Sequence, residues 1–343
     1  MAKKILVTGG TGYIGSHTVV ELQQAGYETV IIDNLSNSNI GVLDGIEAIT
    51  GSRPVFVEGD CTDIITLRRL FEENRGINGI INFAASKAVG ESVEKPLMYY
   101  RNNLNTLMNL LELMPEYGVE GIVFSSSCTV YGEPDINPID ETAPIKTATS
   151  PYGNTKQISE EIITDFINSG APVRSIILRY FNPVGAHPSS LIGELPRGVP
   201  NNLVPYLTQT AAGIRKELTV FGDNYDTPDG SCIRDYIDVV DLAKAHVMAM
   251  ERMLGENSGG KIEIFNLGTG RGVSVLELIS AFEKATGVRV PYRIGERRAG
   301  DIEKIWADPA KANTELGWKA EVQVEETMRN AWAWQCRCMK NQD

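Results

Sequence analysis

Six short apolar runs, Lys4–Thr8, Glu28–Asp33, Val55–Val57, Ile80–Ala84, Ile122–Ser125 and Ser175–Tyr180, are separated by longer stretches whose apolar positions recur at helical spacing. Runs of this length, rich in Val, Ile and Leu, mark strands buried on both faces, and the helices between them mark crossovers. The pattern predicts an α/β fold on a doubly wound parallel sheet, whose ligands sit at the carboxyl ends of the strands. From Pro183 the pattern dissolves: Gly, Pro, Asn and Ser are dense through Asn202, as in an irregular segment laid over a site. Regular units then resume. A helix is expected over Leu203–Ile214, with Pro205 in its first turn, and a strand over Leu218–Phe221 that leads into an acidic, glycine-bearing loop at 222–230. An amphipathic helix over Val239–Leu254 and a strand over Lys261–Leu267 are expected to return to the first domain. Further helices are expected near Ser274–Thr286 and Val324–Met339. The division is therefore 1–182 plus 236–267 for the sheet domain and 183–235 plus 268–343 for a smaller C-terminal substrate-binding domain. No flexible linker separates the two, so they should be tightly joined.

The first run passes directly into Gly9-Gly-Thr-Gly12-Tyr-Ile-Gly15 and then a helical pattern through Leu22. Strand, glycine turn and helix in this order let the backbone approach a pyrophosphate, whose charge meets the helix N-terminus. The second run ends in Asp33, 18 residues after Gly15, where a dinucleotide site places a carboxylate for the ribose 2′-hydroxyl. This is a Rossmann-type dinucleotide signature, and Asp33 would repel a 2′-phosphate, so the expected cofactor is NAD rather than NADP. Asp60, Phe83-Ala84-Ala85, Lys87 and Ser125-Ser-Ser127 all fall at strand ends. Asp60 reads equally well as a turn residue or as an adenine contact.

The stretch Ser150-Pro-Tyr152-Gly-Asn-Thr-Lys156 places a phenol and an ammonium four positions apart, on one face if the segment is helical. A neighbouring ammonium favours the phenolate, which would draw Tyr152 from its ordinary pKa of about 10 toward neutrality and make it a base. The pair alone fits an exposed helix face better than a reacting pair, and the rest of the chain decides between the two.

Composition narrows the partners. The 343 residues carry a formal charge of −12 with 42% hydrophobic content, enough for a large core but repelled at long range by nucleic acid or an anionic membrane. A phosphate ligand must then meet a local basic pocket. No apolar run reaches the roughly 20 residues of a spanning helix, and the start enters a strand without a signal-peptide pattern, so a cytoplasmic location is expected. Five scattered cysteines suit reduced thiols, and Cys336 and Cys338 with three histidines make no zinc spacing, so no metal site is expected.

From Lys4 to Trp318 the motifs resemble the extended short-chain dehydrogenase/reductases and, among them, the UDP-glucose (UDP-galactose) 4-epimerase family. They include Gly9 to His17, Asp33-Asn-Leu35, Lys87-Ala-Val-Gly-Glu-Ser92, Ser125-Ser-Ser-Cys-Thr-Val-Tyr-Gly132, Tyr152 with Lys156, Pro200-Asn-Asn-Leu203, Arg234-Asp-Tyr-Ile237 and Arg297-Arg-Ala-Gly-Asp301. The resemblance implies that Gly9, Gly12, Tyr13, Ile14 and Gly15 surround the pyrophosphate, and that Asp33, Asn34, Asn37 and Ser38 surround the adenosine ribose. Asp60 and Cys61 would flank adenine. Phe83, Ala84, Ala85, Lys87 and Asn102 would line the middle of the cofactor, with Tyr180 near the nicotinamide. On the UDP-hexose side it implies Phe181, Asn182, Asn202, Leu203, Phe221, Arg234, Tyr236, Val275, Arg298, Asp301 and Ile305, together with Lys87, Ser127 and Tyr152. The two arginines would offer forked donors to the diphosphate. Cys61 departs from the usual aliphatic residue, and Asp238 from a frequent histidine; neither is expected to touch the chemistry.

The implied catalytic residues are Ser127, Tyr152 and Lys156. Tyr152 would take the proton of the 4-hydroxyl while NAD takes the hydride, Ser127 would relay, and Lys156 would hold the nicotinamide ribose. The 4-keto sugar would turn over and regain the hydride on its other face, so NAD would stay bound. A triple serine also serves simply to end a strand. A 4,6-dehydratase of this fold would need a carboxylate pair at positions 128 and 129, where Cys128 and Thr129 stand; a silent NAD-sensing protein would not need the trio. The helices starting near Tyr99 and Tyr152 resemble those of a four-helix homodimer contact, though apolar faces serve a core equally. Ile305 stands where the family has a gate beside the sugar 2-substituent. Shorter than tyrosine but stiff, it is expected to pass UDP-glucose and UDP-galactose and to slow UDP-N-acetylglucosamine, unless it simply packs in the C-terminal core.

Overall fold

The structure, a computed structural model, describes residues 2–255, 259–298 and 301–340. Its centre is a seven-stranded sheet of order β11-β6-β5-β4-β1-β2-β3, every neighbouring pair parallel. In chain order the strands and crossovers are β1 (Lys4–Thr8), α1 (Tyr13–Gln24), β2 (Glu28–Asp33), α2 (Val42–Thr50), β3 (Val55–Glu58), α3 (Ile64–Glu73) and β4 (Ile77–Asn82). They continue as α4 (Val89–Glu94), α5 (Pro96–Tyr117), β5 (Gly121–Ser127), α6 (Pro151–Asn168) and β6 (Arg174–Tyr180). The order reverses between β1 and β4, and that crevice is where a doubly wound sheet receives a ligand.

Each expected strand is present, with two shifts. β4 begins three residues early and stops at Asn82, leaving Phe83 and Ala84 free of the ladder at the site edge. β5 runs through all three serines instead of ending at the first, because its last residues pair with β6, Ser126 opposite Arg179 and Ser127 opposite Tyr180. Both sheet faces are covered, which is why the central strands are apolar throughout. One face packs α1, α2 and a later helix through Val19, Val20, Leu22, Leu43, Ile46 and Met250. The other packs α3, α5 and α6 through Leu67, Phe71, Leu107, Leu110, Ile163 and Ile167.

The second half supplies β7 (Asn182–Val184), α7 (Leu203–Ala211), β8 (Leu218–Phe221), β9 (Ile233–Arg234), β10 (Tyr236–Asp238) and α8 (Val239–Leu254). After them come β11 (Ile262–Leu267), β12 (Val273–Ser274), α9 (Val275–Thr286), β13 (Tyr292–Gly295), β14 (Lys304–Ile305) and α10 (Val324–Lys340). β11 pairs in register with β6 and α8 packs on α1, so this excursion rejoins the large sheet. α7 stops at Ala211, three residues before the expected end, since Gly213 takes a left-handed φ of 74° that turns the chain. α9 starts from a capping box between Ser274 and Glu277. Its Leu278, Ile279 and Phe282 meet Leu207 of α7, Val220 of β8 and Met328 of α10 in a separate core. Truncating Phe282 to alanine there would cost about 3–5 kcal/mol. Among the described residues no helix is long and apolar enough to cross a membrane.

Candidate active site

The glycine turn after β1 is tight because backbone lies where a side chain would be. A Cβ on Gly9, whose φ is +69°, would stand 2.9 Å from the Ala84 amide nitrogen, and one on Gly15 would stand 2.3 Å from the Gly9 oxygen. Helix α1 then opens at Gly12, which has no side chain to cap the first turn, so its N–H groups face the crevice. Asp33, 9% exposed, closes the turn: it accepts from the Thr11 amide (3.2 Å), the Leu35 amide (2.9 Å) and the Ser38 hydroxyl (3.0 Å). These bonds leave room on a carboxylate that can accept about four. Asn34 donates to Asp60 (3.0 Å), and Asp60 also accepts from the Thr62 amide and hydroxyl. Burial would push that carboxyl up, but these hydrogen bonds hold it below its ordinary range. Asp60 is thus a turn residue that also holds Asn34 of the loop after β2. Cys61 is buried beside it, its thiol pushed up by burial into inertness. Asn37 is exposed on the same loop.

Along the crevice, Ala84 donates its amide to the Thr8 hydroxyl (3.2 Å), and the Phe83 ring lies 4.7 Å from that of buried His246. Ala85 follows, and Asn102 of α5 donates to the Ser86 hydroxyl (3.3 Å). Ile14 packs against the main core, while the Tyr13 hydroxyl donates to the Gly185 carbonyl at 2.8 Å. Lys87 lies 5.9 Å from the Tyr13 ring centroid and 3.7 Å from Glu194.

Helix α6 carries the phenol and the ammonium inward. Ser150 caps it by accepting from the Gly153 amide (3.1 Å), and Pro151 supplies the preset φ of a first turn. One turn apart, Tyr152 and Lys156 face the end of β5. Lys156 donates to the Ser125 carbonyl at 2.5 Å, and its nitrogen lies 5.9 Å from the Tyr152 ring centroid. Ser127, the last residue of β5, stands near the Tyr152 phenol and accepts from the Thr129 amide at 3.2 Å. Tyr180, at the end of β6, hydrogen-bonds the Ser125 hydroxyl. The exposed-face reading of the Tyr–Lys pair is excluded, since Lys156 is only 5% exposed.

One expectation is corrected. Tyr152 is not drawn toward neutrality: burial pushes its phenol up, Tyr180 adds to this, and only the nearby Ser127 hydroxyl opposes it. Desolvation is the largest influence on the phenol, and Lys156 is itself pulled down by burial to about 8.

The opposite wall is built from the second half. Arg234 and Arg298 converge on one carboxylate, Asp301: Arg298 forks onto it at 2.6 and 3.2 Å, and Arg234 stands 3.7 Å away. Phe221 is 44% exposed at the end of β8, with the Arg298 guanidinium 5.7 Å from its ring. Asn202 donates to Glu194 (2.6 Å), Leu203 begins α7, and Val275 begins α9 with its amide on the Cys232 carbonyl (3.1 Å). Asn182 and Tyr236 are paired on β7 and β10. Phe181 and Ile305 are buried together with Val130, Tyr131 and Ile139 in a small core of their own. Ala299 and Gly300 of the arginine motif lie outside the described residues.

Sequence reasoning missed a set of partners. Ser126 donates to Glu160 (2.5 Å), Arg179 forks onto Glu160 at 3.0 and 2.5 Å, and Arg179 also donates to Tyr131 at 3.0 Å. The available signal was that Glu160 follows Lys156 at the same four-residue spacing that singled out Tyr152. Glu194 and Arg197, in the irregular segment, were missed because no local pattern points to them. Arg197 reaches back to the Ser36 and Ser38 carbonyls (3.0 and 2.6 Å).

A family model described as GDP-mannose 4,6 dehydratase matches residues 6–331. The UDP-glucose 4-epimerase of Bacillus subtilis is 53% identical over 331 residues, covering 96% of both chains. The chain belongs to the UDP-glucose 4-epimerase family. A second family member, from Haemophilus influenzae, is 51% identical over 96% of this chain and 97% of its own. Among solved structures, a UDP-glucose-4-epimerase from Stenotrophomonas maltophila with bound NAD and formylated UDP-arabinopyranose matches with a TM-score of 0.95. It is 49% identical and covers 99% of this chain and 100% of its own. That from Bifidobacterium longum, in complex with NAD+ and UDP, matches at 0.92, with 46% identity and 98% of each chain covered.

Proposed function

We propose that this chain is a UDP-glucose 4-epimerase that interconverts UDP-galactose and UDP-glucose with a tightly held, recycled NAD. The observation that carries the reading is the convergence of Ser127, Tyr152 and Lys156 at the carboxyl end of β5, with Ser127 and Lys156 buried. The residues fit the dinucleotide: Gly9, Gly12 and Gly15 leave backbone where side chains would stand, α1 presents uncapped N–H groups, and Asp33 retains acceptor capacity. Gly12, Tyr13, Ile14 and the Asn34–Ser38 loop would hold it, with Phe83 to Ala85, Lys87, Asn102 and Tyr180 along its length. When bound there, NAD would supply a hydride acceptor and donor for carbon 4 of the sugar.

Tyr152 accepts the proton of the sugar 4-hydroxyl and gives it back after the 4-keto sugar has turned over. Ser127 donates to the same oxygen and relays the proton, while Lys156 orients the nicotinamide ribose and stabilises the phenolate. Arg234 and Arg298 exchange part of their hold on Asp301 for the diphosphate. Phe221 and Leu203 cover the uracil, and Phe181, Tyr236 and Ile305 close the sugar end. A 4,6-elimination would need an acid and a base beside Ser127. Cys128, pushed up to about 12 by burial, and Thr129 are neither.

The chain is read as a cytoplasmic homodimer, supported by Leu97, Met98 and Met108, which α5 leaves exposed. Two lobes at 1–182 plus 236–267 and 183–235 plus 268–343 accord with the separate core around Phe282. Incubation of the purified protein with UDP-galactose, without added NAD, should yield UDP-glucose. Absence of conversion by a folded, NAD-containing preparation refutes the reading.

A further inference from the structure

Directly behind the reacting pair lies a buried ion pair that the proposed mechanism leaves unused. Glu160 sits one helical turn beyond Lys156 on α6, and Arg179 sits on β6 immediately before Tyr180. Both are nearly sealed from solvent, with side-chain exposures of 11% and 5%. Both oxygens of Glu160 are engaged: Oε1 accepts from Ser126 (2.5 Å) and from Arg179 Nε (3.0 Å), and Oε2 accepts from Arg179 Nη2 (2.5 Å). The three serines of β5 therefore divide the work. The Ser125 carbonyl takes Lys156, the Ser126 hydroxyl binds Glu160, and the Ser127 hydroxyl stands near Tyr152.

A buried ion pair is a poor choice for stability, because desolvation offsets its attraction and an apolar pair of equal volume serves as well. Its place beside a lysine that must keep its proton in a dry site suggests another use. We infer that Glu160 is a positioning residue that acts through Lys156 and Ser127, its carboxylate favouring the Lys156 ammonium and its bond to Ser126 fixing the end of β5. Arg179 orients that carboxylate and balances its charge. This inference rests on the reading of Tyr152 and Lys156 as the reacting pair.

The titratable groups packed around Lys156 and Glu160 are Tyr152 on α6, Arg179 and Tyr180 on β6, Cys128 and Tyr131 after β5, and Tyr99 of α5. The phenols and the thiol are all pushed up by burial, Tyr131 and Tyr180 to about 12. Near neutral pH only Arg179 among the six carries charge. Burial draws Lys156 down to about 8 and Glu160 opposes that pull, so the balance between Glu160 and Arg179 decides where activity falls on the alkaline side.

The signs separate this role from simple scaffolding. Glu160→Gln keeps the volume and a group for Ser126 but removes the anion and leaves Arg179 uncompensated, so Lys156 loses its proton at lower pH. Arg179→Met removes the cation and leaves the anion, so Lys156 keeps its proton to higher pH. The experiment measures kcat for UDP-galactose epimerisation from pH 6 to 10 in the native protein and both variants, with bound NAD quantified after denaturation. The Glu160→Gln variant should lose roughly tenfold more activity at pH 9 than at pH 6.5, its alkaline limb displaced by about one unit, and the Arg179→Met limb should move the other way. Limbs that stay in place, or move in the same direction, overturn the inference. If one variant fails to fold, the direction of the other decides. Native protein that binds NAD but converts nothing defeats the epimerase reading itself, a result distinct from either limb.

Discussion

The two walls of the cleft differ in how their polar groups are engaged. On the cofactor wall, Asp33, Asp60 and Lys156 are tied to backbone or to neighbours within a few residues of a strand end, and the glycine turn has no slack. On the UDP wall, charged groups from distant segments hold one another: Arg234 and Arg298 share Asp301, and Glu194 takes both Lys87 and Asn202. The first wall is preorganised, so binding costs it little ordering. The second must exchange partners. That difference suits a cofactor that stays and a substrate that leaves each turnover.

Breaking the rigid wall at its reacting group should have the largest effect. Tyr152→Phe should leave folding and NAD content intact and lower kcat by at least the ~10²-fold of a lost general base; near-normal epimerisation would remove Tyr152 from the mechanism. At the other end of the same wall, Asp33→Ala removes charged hydrogen bonds worth about 1.5–3 kcal/mol each, so NAD affinity should fall about 10- to 100-fold. NAD, not NADP, should be recovered from the native protein, and recovery of NADP would contradict the role of Asp33.

The UDP wall responds through specificity. Ile305 is 2% exposed against Phe181, and an oversized group in a packed pocket costs about 1–3 kcal/mol. Ile305→Ser should therefore raise kcat/KM for UDP-N-acetylglucosamine relative to UDP-glucose by roughly 5- to 100-fold. Equal constants for both sugars in the native protein, unchanged in the variant, would make Ile305 a core residue only.

The smallest effect belongs to the joint between the walls. Asp238 caps α8 through the Val240 amide and accepts from Thr327 of α10, and burial pushes its carboxyl up to about 6. A folded-state pKa above the unfolded value of about 3.8 gives stability that is present at low pH and lost as pH rises through about 6. Asp238→Asn removes this titration while keeping a good cap. The Tm of the variant minus that of the native protein should therefore increase between pH 4 and pH 7, by up to a few degrees. A difference independent of pH would mean that folding does not raise the Asp238 pKa.

Much of the cofactor wall was legible because it is local in sequence. The glycine turn, Asp33 and the Tyr152–Lys156 spacing each lie within one strand–turn–helix unit, where periodicity and turn chemistry leave few alternatives. The UDP wall was accessible only through family resemblance, since Arg234, Arg298 and Asn202 sit in short strands and loops without periodicity. Glu194 and Arg197 escaped altogether, because the groups they reach on the cofactor side, Lys87 and the Ser36 and Ser38 carbonyls, come from far earlier in the chain.

Sequence by itself determined the parallel sheet, its succession of strands and helices, the acidic end of β2 and the face shared by Tyr152 and Lys156, all consequences of period and of residues a few positions apart. Only the tertiary structure decided the charge state of the site. Whether Lys156 lowers the pKa of Tyr152 depends on water and on where the ammonium points, and burial reverses the expected direction. The pairing of Glu160 with Arg179 and the sharing of Asp301 by two arginines are likewise tertiary. Coulomb and desolvation energies are set by distance and dielectric in space, and spacing along the chain carries neither.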